Sequence, residues 1–184
     1  MQLMLRDPCF SLPVLLLLAM LGMDQQAAYF PHSVFSPRDK SGNKYMTTKL
    51  GTNLITLREP SLWMRSSKDR AVVAYRLLWI ASNRDPVCVR VTKTGSVFSL
   101  RLSRHDRSFN GLAGKVTVSK EVKLTEKQWK QLADSVQATK FWTAPAEIEE
   151  ERGRGDGDII LIEGVKNGKY HVIERSGSTA GESY

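Results

Sequence analysis

The residues best suited to chemistry lie near the C-terminal end of the chain, in a stretch that reads as a β-hairpin. Residues 159–165 form a β-branched, apolar run, and residues 169–175 form a second extended segment. Between them, Asn167 and Gly168 are the pair most favoured for a two-residue turn in which both residues have a positive φ. This pattern predicts two antiparallel strands joined by a tight turn.

The predicted turn fixes which side chains of the hairpin share a face, because alternate residues of a strand point to opposite sides. One predicted face carries Leu161, Glu163, Val165, Tyr170, Val172 and Glu174. The other predicted face carries Ile160, Ile162, Gly164, His171, Ile173 and Arg175. Each face combines ionisable and apolar residues, which indicates a role beyond that of a connecting turn.

Two kinds of site could be built from this hairpin. A histidine and a carboxylate can act as general acid and base, so a hydrolase-like enzyme could use His171 with Glu163 or with an acid of residues 147–158. However, the pairing places His171 and Glu163 on opposite faces. His171 and Arg175 share a face and could hold an anionic group, with Gly164 leaving room for the imidazole. Alternatively, His171 is packed in the sheet and Arg175 pairs with an acid of the loop.

Tryptophans are candidates for the lining of a ligand cleft, although aromatic residues at strand and helix ends are often part of the core. They are Trp63, Trp79 and Trp142. Trp142 completes the predicted binding site, which consists of Tyr170, His171, Arg175 and Trp142.

No metal and no cofactor are predicted. The acidic residues Asp156, Asp158 and 149–151 could bind Ca²⁺ through hard oxygens, but their spacing does not match an EF-hand loop. The two cysteines, Cys9 and Cys88, provide neither a disulfide framework nor a zinc ligand spacing. Cys88 lies in a predicted strand and is interpreted as a buried, inert thiol.

The length and charge of the chain limit the classes of partner. A chain of 184 residues fits one domain and a short N-terminal segment. The net charge of +8 favours anionic partners such as nucleic acid, lipid headgroups or acidic glycans, or it merely provides a solvated basic surface. The expected partner is an anionic ligand or a protein. Nucleic acid is not an expected partner, because no block of Lys and Arg with interleaved aromatic residues occurs.

The N-terminal segment predicts a location. Residues 10–23 form an apolar run that is short for a membrane span and suits the core of a secretory signal peptide. We therefore expect residues 1–28 to be a signal peptide or a membrane anchor, and the protein to be periplasmic or in the cell envelope. Membrane contact would come only through this segment, if it is uncleaved. If translation starts at Met20 or Met23, the protein would be cytoplasmic.

The remaining pattern predicts an α+β fold. Residues 29–52 are interpreted as a loosely ordered lead-in, residues 53–176 as one domain and residues 177–184 as a flexible tail. Residues 53–58 are a candidate for a short strand, and strands are predicted at 71–80, 87–91, 96–102, 115–122 and the two hairpin segments. Trp63 is expected in a loop, and Arg76 interrupts its strand, which suggests a face that is only partly buried.

One main helix is predicted at about residues 126–139. Thr125 and Gln128 have the spacing of a capping box, and Leu124 and Trp129 that of a hydrophobic staple. The helix is expected to pack on one face of an antiparallel sheet of about five or six strands.

Several short strings follow one another along the chain. They are Glu59 to Trp63, then Leu124, Thr125 and Trp129, then Phe141, Trp142 and Pro145, then Asp156 and Gly157, and finally Glu163, Gly164, Gly168, Tyr170, His171 and Arg175. With these strings, the chain resembles a family of small, uncharacterised bacterial proteins over roughly residues 59–176. It departs from that family in having few glycines mid-chain and in having Ile160 where relatives tend to have Trp. The resemblance bears on the fold and the location of the site, and implies no established activity.

The leading functional hypothesis is a non-catalytic, exported or envelope-associated binding or interaction protein. The alternatives are a hydrolase-like enzyme that uses His171 with a nearby acid, and a cytosolic protein that binds nucleic acid through its positive charge.

Overall fold

The structure is a computed structural model, and it describes residues 29–35, 39–107, 114–146 and 157–177. The predicted signal peptide or anchor, residues 178–184 of the predicted tail and the acidic residues 147–156 lie outside this part of the chain. Of the helices in the described ranges, none has the length and apolar character needed to cross a membrane.

A single six-stranded antiparallel sheet organises the domain, in the order β4-β3-β2-β1-β5-β6. The strands are β1 Val73–Ile80, β2 Val87–Thr94, β3 Val97–His105, β4 Val116–Lys123, β5 Asp158–Lys166 and β6 Lys169–Gly177. The first four strands form a meander, and the chain then crosses the sheet so that β5 pairs with β1. The α+β fold predicted from the sequence, with its antiparallel sheet and C-terminal hairpin, is confirmed.

The C-terminal hairpin has the predicted register. Gly164 is paired with His171 and Val165 with Tyr170. Asn167 has a φ of 55° and Gly168 a φ of 75°. Both turn residues therefore adopt the left-handed conformation that the Asn-Gly pair predicts.

The two faces of the sheet can be named from β1. We call face A the side that carries Ala74, Arg76 and Leu78, and face B the side that carries Tyr75 and Leu77. Paired residues of antiparallel strands share a face, so Glu163 and Tyr170 lie on face A, whereas Gly164, His171 and Arg175 lie on face B.

Face A is covered by a helix that the sequence did not predict, α1 Lys40–Thr56. The side chain of Asp39 caps its first turn by accepting a hydrogen bond from the backbone of Ser41. Leu50, Leu54 and Leu57 recur at helical spacing and are fully buried against face A. The strand predicted at 53–58 was therefore wrong, because the burial of this apolar stripe outweighs the weak strand preference of its β-branched residues.

Two further predictions for this region were also wrong. The lead-in is not loosely ordered throughout, since α1 begins within it and Phe30 and Phe35 belong to the core on face A. Trp63 lies in a second short helix, α2 Leu62–Lys68, which is capped by Ser61.

Face B is covered in part by α3 Glu126–Ala138 and by a 3₁₀ turn, Phe141–Thr143. The predicted capping box of Thr125 and Gln128 is present. Trp129 is buried, and its ring lies 5.7 Å from that of Phe98 and 6.2 Å from that of Tyr75. The helix thus packs on the sheet as predicted, but helices cover both faces, and α1 is longer than α3.

We expect Leu54→Ala to lower the free energy of unfolding by about 2–5 kcal/mol, because it leaves a cavity under a fully buried leucine. Ile55 is the next residue of the same helix and is 41% exposed, so Ile55→Ala should change this free energy by no more than about 0.5 kcal/mol. Urea unfolding followed by circular dichroism measures both. Equal losses in the two variants would contradict the helical assignment.

Candidate functional site

A row of charged residues crosses face A at one level of the sheet. Arg101 of β3 is paired with Arg90 of β2, Arg90 with Arg76 of β1, and Arg76 with Glu163 of β5. Register alone therefore places three arginines and one glutamate side by side. Arg76 is only 1% exposed and Glu163 is fully buried, so these charges must be compensated inside the protein.

Arg76 and Glu163 form the centre of this row. The Nε of Arg76 donates a hydrogen bond to Oε2 of Glu163 at 2.7 Å, and its Nη1 donates to the carbonyl of Pro60 at 2.6 Å. The hydroxyl of Tyr170 donates to Oε1 of Glu163 at 2.9 Å. Both oxygens of the Glu163 carboxylate are thus occupied by groups of the protein itself.

Glu59 supplies the second carboxylate from the connection between α1 and α2. Its Oε2 accepts a hydrogen bond from Nε of Arg90 at 2.6 Å, and its Oε1 lies 2.9 Å from Nε of Arg101. Arg76 lies 3.8 Å from the same carboxylate. Tyr29 donates its hydroxyl to the backbone carbonyl of Glu59. We call Glu59, Arg76, Arg90, Arg101 and Glu163 the charge network.

The protonation states in this region are fixed by their surroundings. Burial acts to lower the pKa of Arg76, but the charge of Glu163 and the other negative partners outweigh it, so this pKa is raised and the guanidinium stays charged. Burial and then the charge of Glu163 raise the pKa of Tyr170 well above its ordinary value. Tyr170 is therefore a neutral hydrogen-bond donor, and the charge network acts as a structural tie between strands and helices.

On face B, the hairpin holds the chain segment that follows α3. The Nε2 of His171 donates a hydrogen bond to the carbonyl of Ala144 at 3.0 Å, because a carbonyl oxygen can only accept. Arg175 donates through Nη2 to the carbonyl of Pro145 at 3.2 Å. The backbone N–H of Glu174 donates to the carbonyl of Ala146 at 2.7 Å. These hydrogen bonds hold three consecutive residues, 144–146, against β6.

The ring of Phe141 occupies the space beside Gly164 that was predicted for the imidazole of His171. A Cβ atom at this position would lie 2.5 Å from Cε1 of Phe141 and 3.2 Å from the ring of Trp142. The absent side chain therefore admits the Phe141 ring, which in turn packs edge-on against His171 at 5.0 Å. The sequence had assigned that room to the imidazole alone.

The four residues predicted to form one binding site are divided between the two faces. Tyr170 lies on face A, with its hydroxyl on Glu163, whereas His171, Arg175 and Trp142 lie on face B; the ring of Trp142 is 6.2 Å from that of His171. Glu163 and His171 are on opposite faces, as their register predicted. In the described ranges, the hydrogen bond found for the His171 ring goes to a backbone carbonyl, and no carboxylate accompanies it.

A cleft of about 570 Å³ opens on face B beside this segment. Strands β1, β2, β5 and β6 form its floor, and α3 with the 3₁₀ turn forms its wall. The side chains that line it are mostly apolar, namely Tyr75, Leu77, Val89, Val91, Leu132, Val136, Phe141, Ala144, Ile162 and Ile173. The polar groups of the lining side chains are the hydroxyls of Tyr75, Ser135 and Thr139. Its volume lies within the range of small-molecule sites.

Sequence reasoning missed both the cleft and most of the charge network. Arg90 and Arg101 alternate with apolar residues in their strands, and that alternation could have indicated that they face inward. No group of His, Cys, Asp and Glu suited to a metal ion occurs in the part of the chain that the structure describes. Cys88 is buried, as predicted, and burial raises its pKa to about 12.

No protein-family model matches the chain, and no curated protein matches it significantly. The resemblance noted from the short strings therefore stays a prediction. The structure brings residues of the first and last strings together. Glu59 and Trp63 meet Glu163 and Tyr170 on face A, where the rings of Trp63 and Tyr170 are 5.7 Å apart.

We expect Glu163→Gln to lower the free energy of unfolding by about 3–5 kcal/mol, because it leaves the Arg76 charge buried without its closest counterion. Removing both charges together, in Arg76→Met with Glu163→Leu, should recover a large part of that loss. Urea unfolding of the single and double variants tests the coupling.

The matched control for this experiment is the exposed ion pair of Arg104 and Asp85, whose atoms are 3.8 Å apart. Asp85→Asn should cost less than about 1 kcal/mol. If Glu163→Gln cost no more than Asp85→Asn, the charge network would not hold the strands together as described.

Stability should fall as the pH rises above about 9. Burial raises the pKa of Cys88 from 9.0 to about 12 and also raises the pKa of Tyr170 above 10.0. The unfolded chain therefore loses these protons first, so the stability they contribute is present below pH 9 and is lost as the pH rises towards the folded pKa values. Urea unfolding between pH 7 and 11 measures the slope.

Tyr170→Phe and Cys88→Ala should each make this decline less steep. Tyr45 lies on α1 with 61% of its surface exposed, so Tyr45→Phe is the control and should leave the slope unchanged. An unchanged slope in all three variants would contradict the assignment.

Proposed function

We propose that this chain is a non-catalytic binding protein, exported or associated with the cell envelope, whose ligand occupies the cleft on face B. The proposed location follows from the apolar run at residues 10–23. The observation that carries the proposed function is the cleft of about 570 Å³ between α3 and the sheet, lined almost wholly by apolar side chains.

An apolar surface of this kind favours occupation by a ligand. Leu77 lies in the centre of the sheet, with paired strands on both sides, and is nevertheless 39% exposed. Its neighbours on the floor, Val89 and Ile162, are only partly buried. A connected apolar patch at the centre of a sheet face is expected to be covered when the protein is at work, because soluble proteins seldom leave such a patch in water.

The predicted site residues have a clear part in this proposal. His171 and Arg175 donate hydrogen bonds to the carbonyls of Ala144 and Pro145. Ala144 and Phe141 belong to the wall of the cleft. Both side chains therefore position the wall and preserve the opening between the 3₁₀ turn and the sheet, which is the pre-organisation that a binding site needs.

The side chains of the cleft also favour binding over catalysis. Arg76 reaches the cleft through its backbone, because its side chain lies on face A in contact with Glu163. General acid–base chemistry requires a titratable group within hydrogen-bond reach of the substrate. The polar side chains of the lining are the hydroxyls of Tyr75, Ser135 and Thr139. Burial raises the pKa of Tyr75 above its ordinary value, so its phenol stays neutral and can orient a ligand but does not act as a base.

Fluorescence of anilinonaphthalene sulfonate, which rises in an apolar site, tests this proposal. Val89→Trp fills the floor of the cleft and should weaken dye binding by about tenfold or more. Val97 is a valine of β3 that is 57% exposed and lies on face A, so Val97→Trp is the matched control and should bind the dye within about twofold of the original protein.

Circular dichroism melting shows whether each variant is folded. Val136→Phe fills the cleft from α3 and provides a second blocking variant if Val89→Trp does not fold. Two folded blocking variants that bind the dye like the original protein would exclude this cleft as the ligand site.

A further inference from the structure

The basic strand residues outnumber the acidic ones by more on face B than on face A. On face B the basic residues are Lys93, Arg104, Lys120, Lys166, Lys169 and Arg175, and the acidic one in the described strands is Asp158. On face A, Glu121, Glu163 and Glu174 accompany Lys123 and the arginines of the network, so the charges nearly balance. The positive surplus of the sheet is therefore concentrated on the face that carries the cleft.

Part of this surplus lies beside the floor of the cleft. Leu102 is paired with Lys120, so Lys120 ends the row of residues that contains the floor residues Val89 and Leu77. Arg104 lies two residues beyond Leu102 on β3, about 7 Å further along the strand, and is therefore a diagonal neighbour of Lys120 on β4. We call Arg104 and Lys120 the basic rim.

The described residues neutralise the basic rim only in part. The side chain of Arg104 is 47% exposed; its Nε donates a hydrogen bond to Oγ1 of Thr117 at 3.2 Å and lies 3.8 Å from the carboxylate of Asp85. Lys120 is exposed to solvent.

Asp158, the acid on this face, is held by other partners. It accepts hydrogen bonds from the backbone of Ser82 at 3.0 Å and from the indole of Trp79 at 2.9 Å. These bonds lower the pKa of Asp158, with a smaller contribution from the charge of Arg84. Asp158 thus stays ionised next to Arg84 and does not cancel the basic rim.

We propose that the ligand of the cleft is a free amphiphile, a single apolar chain that ends in an anionic group such as a carboxylate. The apolar chain lies between α3 and the floor, and the anionic group lies at the basic rim. This inference rests on the proposed function and adds the class of ligand.

The physical argument combines two contributions. Each methylene added to the chain should tighten binding about fourfold until the cleft is full, because it removes further apolar surface from water. The anionic group should add affinity that depends on salt, because the rim is exposed and its field is screened by ions. A ligand that lacks either the apolar chain or the anionic group would therefore bind more weakly.

Displacement of anilinonaphthalene sulfonate from the full chain by dodecanoate and by dodecanol separates the two contributions. Both ligands carry the same apolar chain, and one of them carries no charge. At low salt, we expect dodecanoate to displace the dye at about a tenfold lower concentration than dodecanol. High salt should reduce this ratio.

A matched pair of double variants shows which basic residues interact with the anionic group of the ligand. Arg104→Gln with Lys120→Gln removes two charges of the basic rim and should bring the ratio close to one. Lys166→Gln with Lys169→Gln removes two charges from the same face at the hairpin turn, beyond the rings of Phe141 and Trp142. That variant should keep most of the ratio.

The outcomes distinguish the inference from the proposed function. If dodecanol and dodecanoate displaced the dye equally while Val89→Trp still abolished dye binding, the cleft would be a ligand site, and the anionic head group would be wrong. If neither compound displaced the dye and Val89→Trp had no effect, the proposed function would fail as well. A dimer in sedimentation that Val89→Trp dissociates would identify the occupant as a second copy of the chain and would overturn the amphiphile.

Discussion

The structure depends on one interaction, the burial of the Arg76 guanidinium between a sheet and two helices. A charge removed from water at a cost of several kcal/mol must find its acceptors inside the protein. Arg76 finds them in Glu163 from β5 and in the carbonyl of Pro60, which lies between α1 and α2. A shift of β5 by one residue would turn Glu163 to the other face and leave Arg76 unpaired. The pair therefore selects a single register for β5 and a single position for the α1–α2 connection.

This constraint on face A also determines what happens on face B. Alternate residues of β5 and β6 point to opposite faces of the sheet. The positions of Glu163 and Tyr170 in the charge network on face A therefore determine the positions of Gly164 and His171, which face the 3₁₀ turn on face B. Phe141 can approach the sheet only at Gly164, and Ala144 is held by His171. The wall of the cleft is thus positioned by a hairpin whose register against β1 is set by charges on the opposite face.

Sequence reasoning succeeded where the determinants are local. Two turn residues fixed the register of the hairpin, and four residues around Thr125 identified the start of α3. It failed where the determinant is contact between distant segments. In α1, only three leucines and the core they meet distinguish a helix from a strand. Likewise, Arg76 looked like an interruption, because only the strand register shows that its neighbours are Arg90 and Glu163.

The same reasoning explains why the net charge could not be interpreted from composition. A chain of charge +8 can distribute that charge evenly, as a solvated surface, or can concentrate it beside an apolar site. The register decides between these arrangements, because pleating assigns every charged strand residue to one face. On face A, Glu163 and Glu59 form ion pairs with Arg76 and Arg90. These carboxylates therefore do not neutralise the lysines and arginines of face B. Glu163 is thus committed to Arg76 on face A, whereas Arg104 and Lys120 lie beside the apolar floor on face B; the proposal of a ligand with an anionic end and an apolar body rests on this separation.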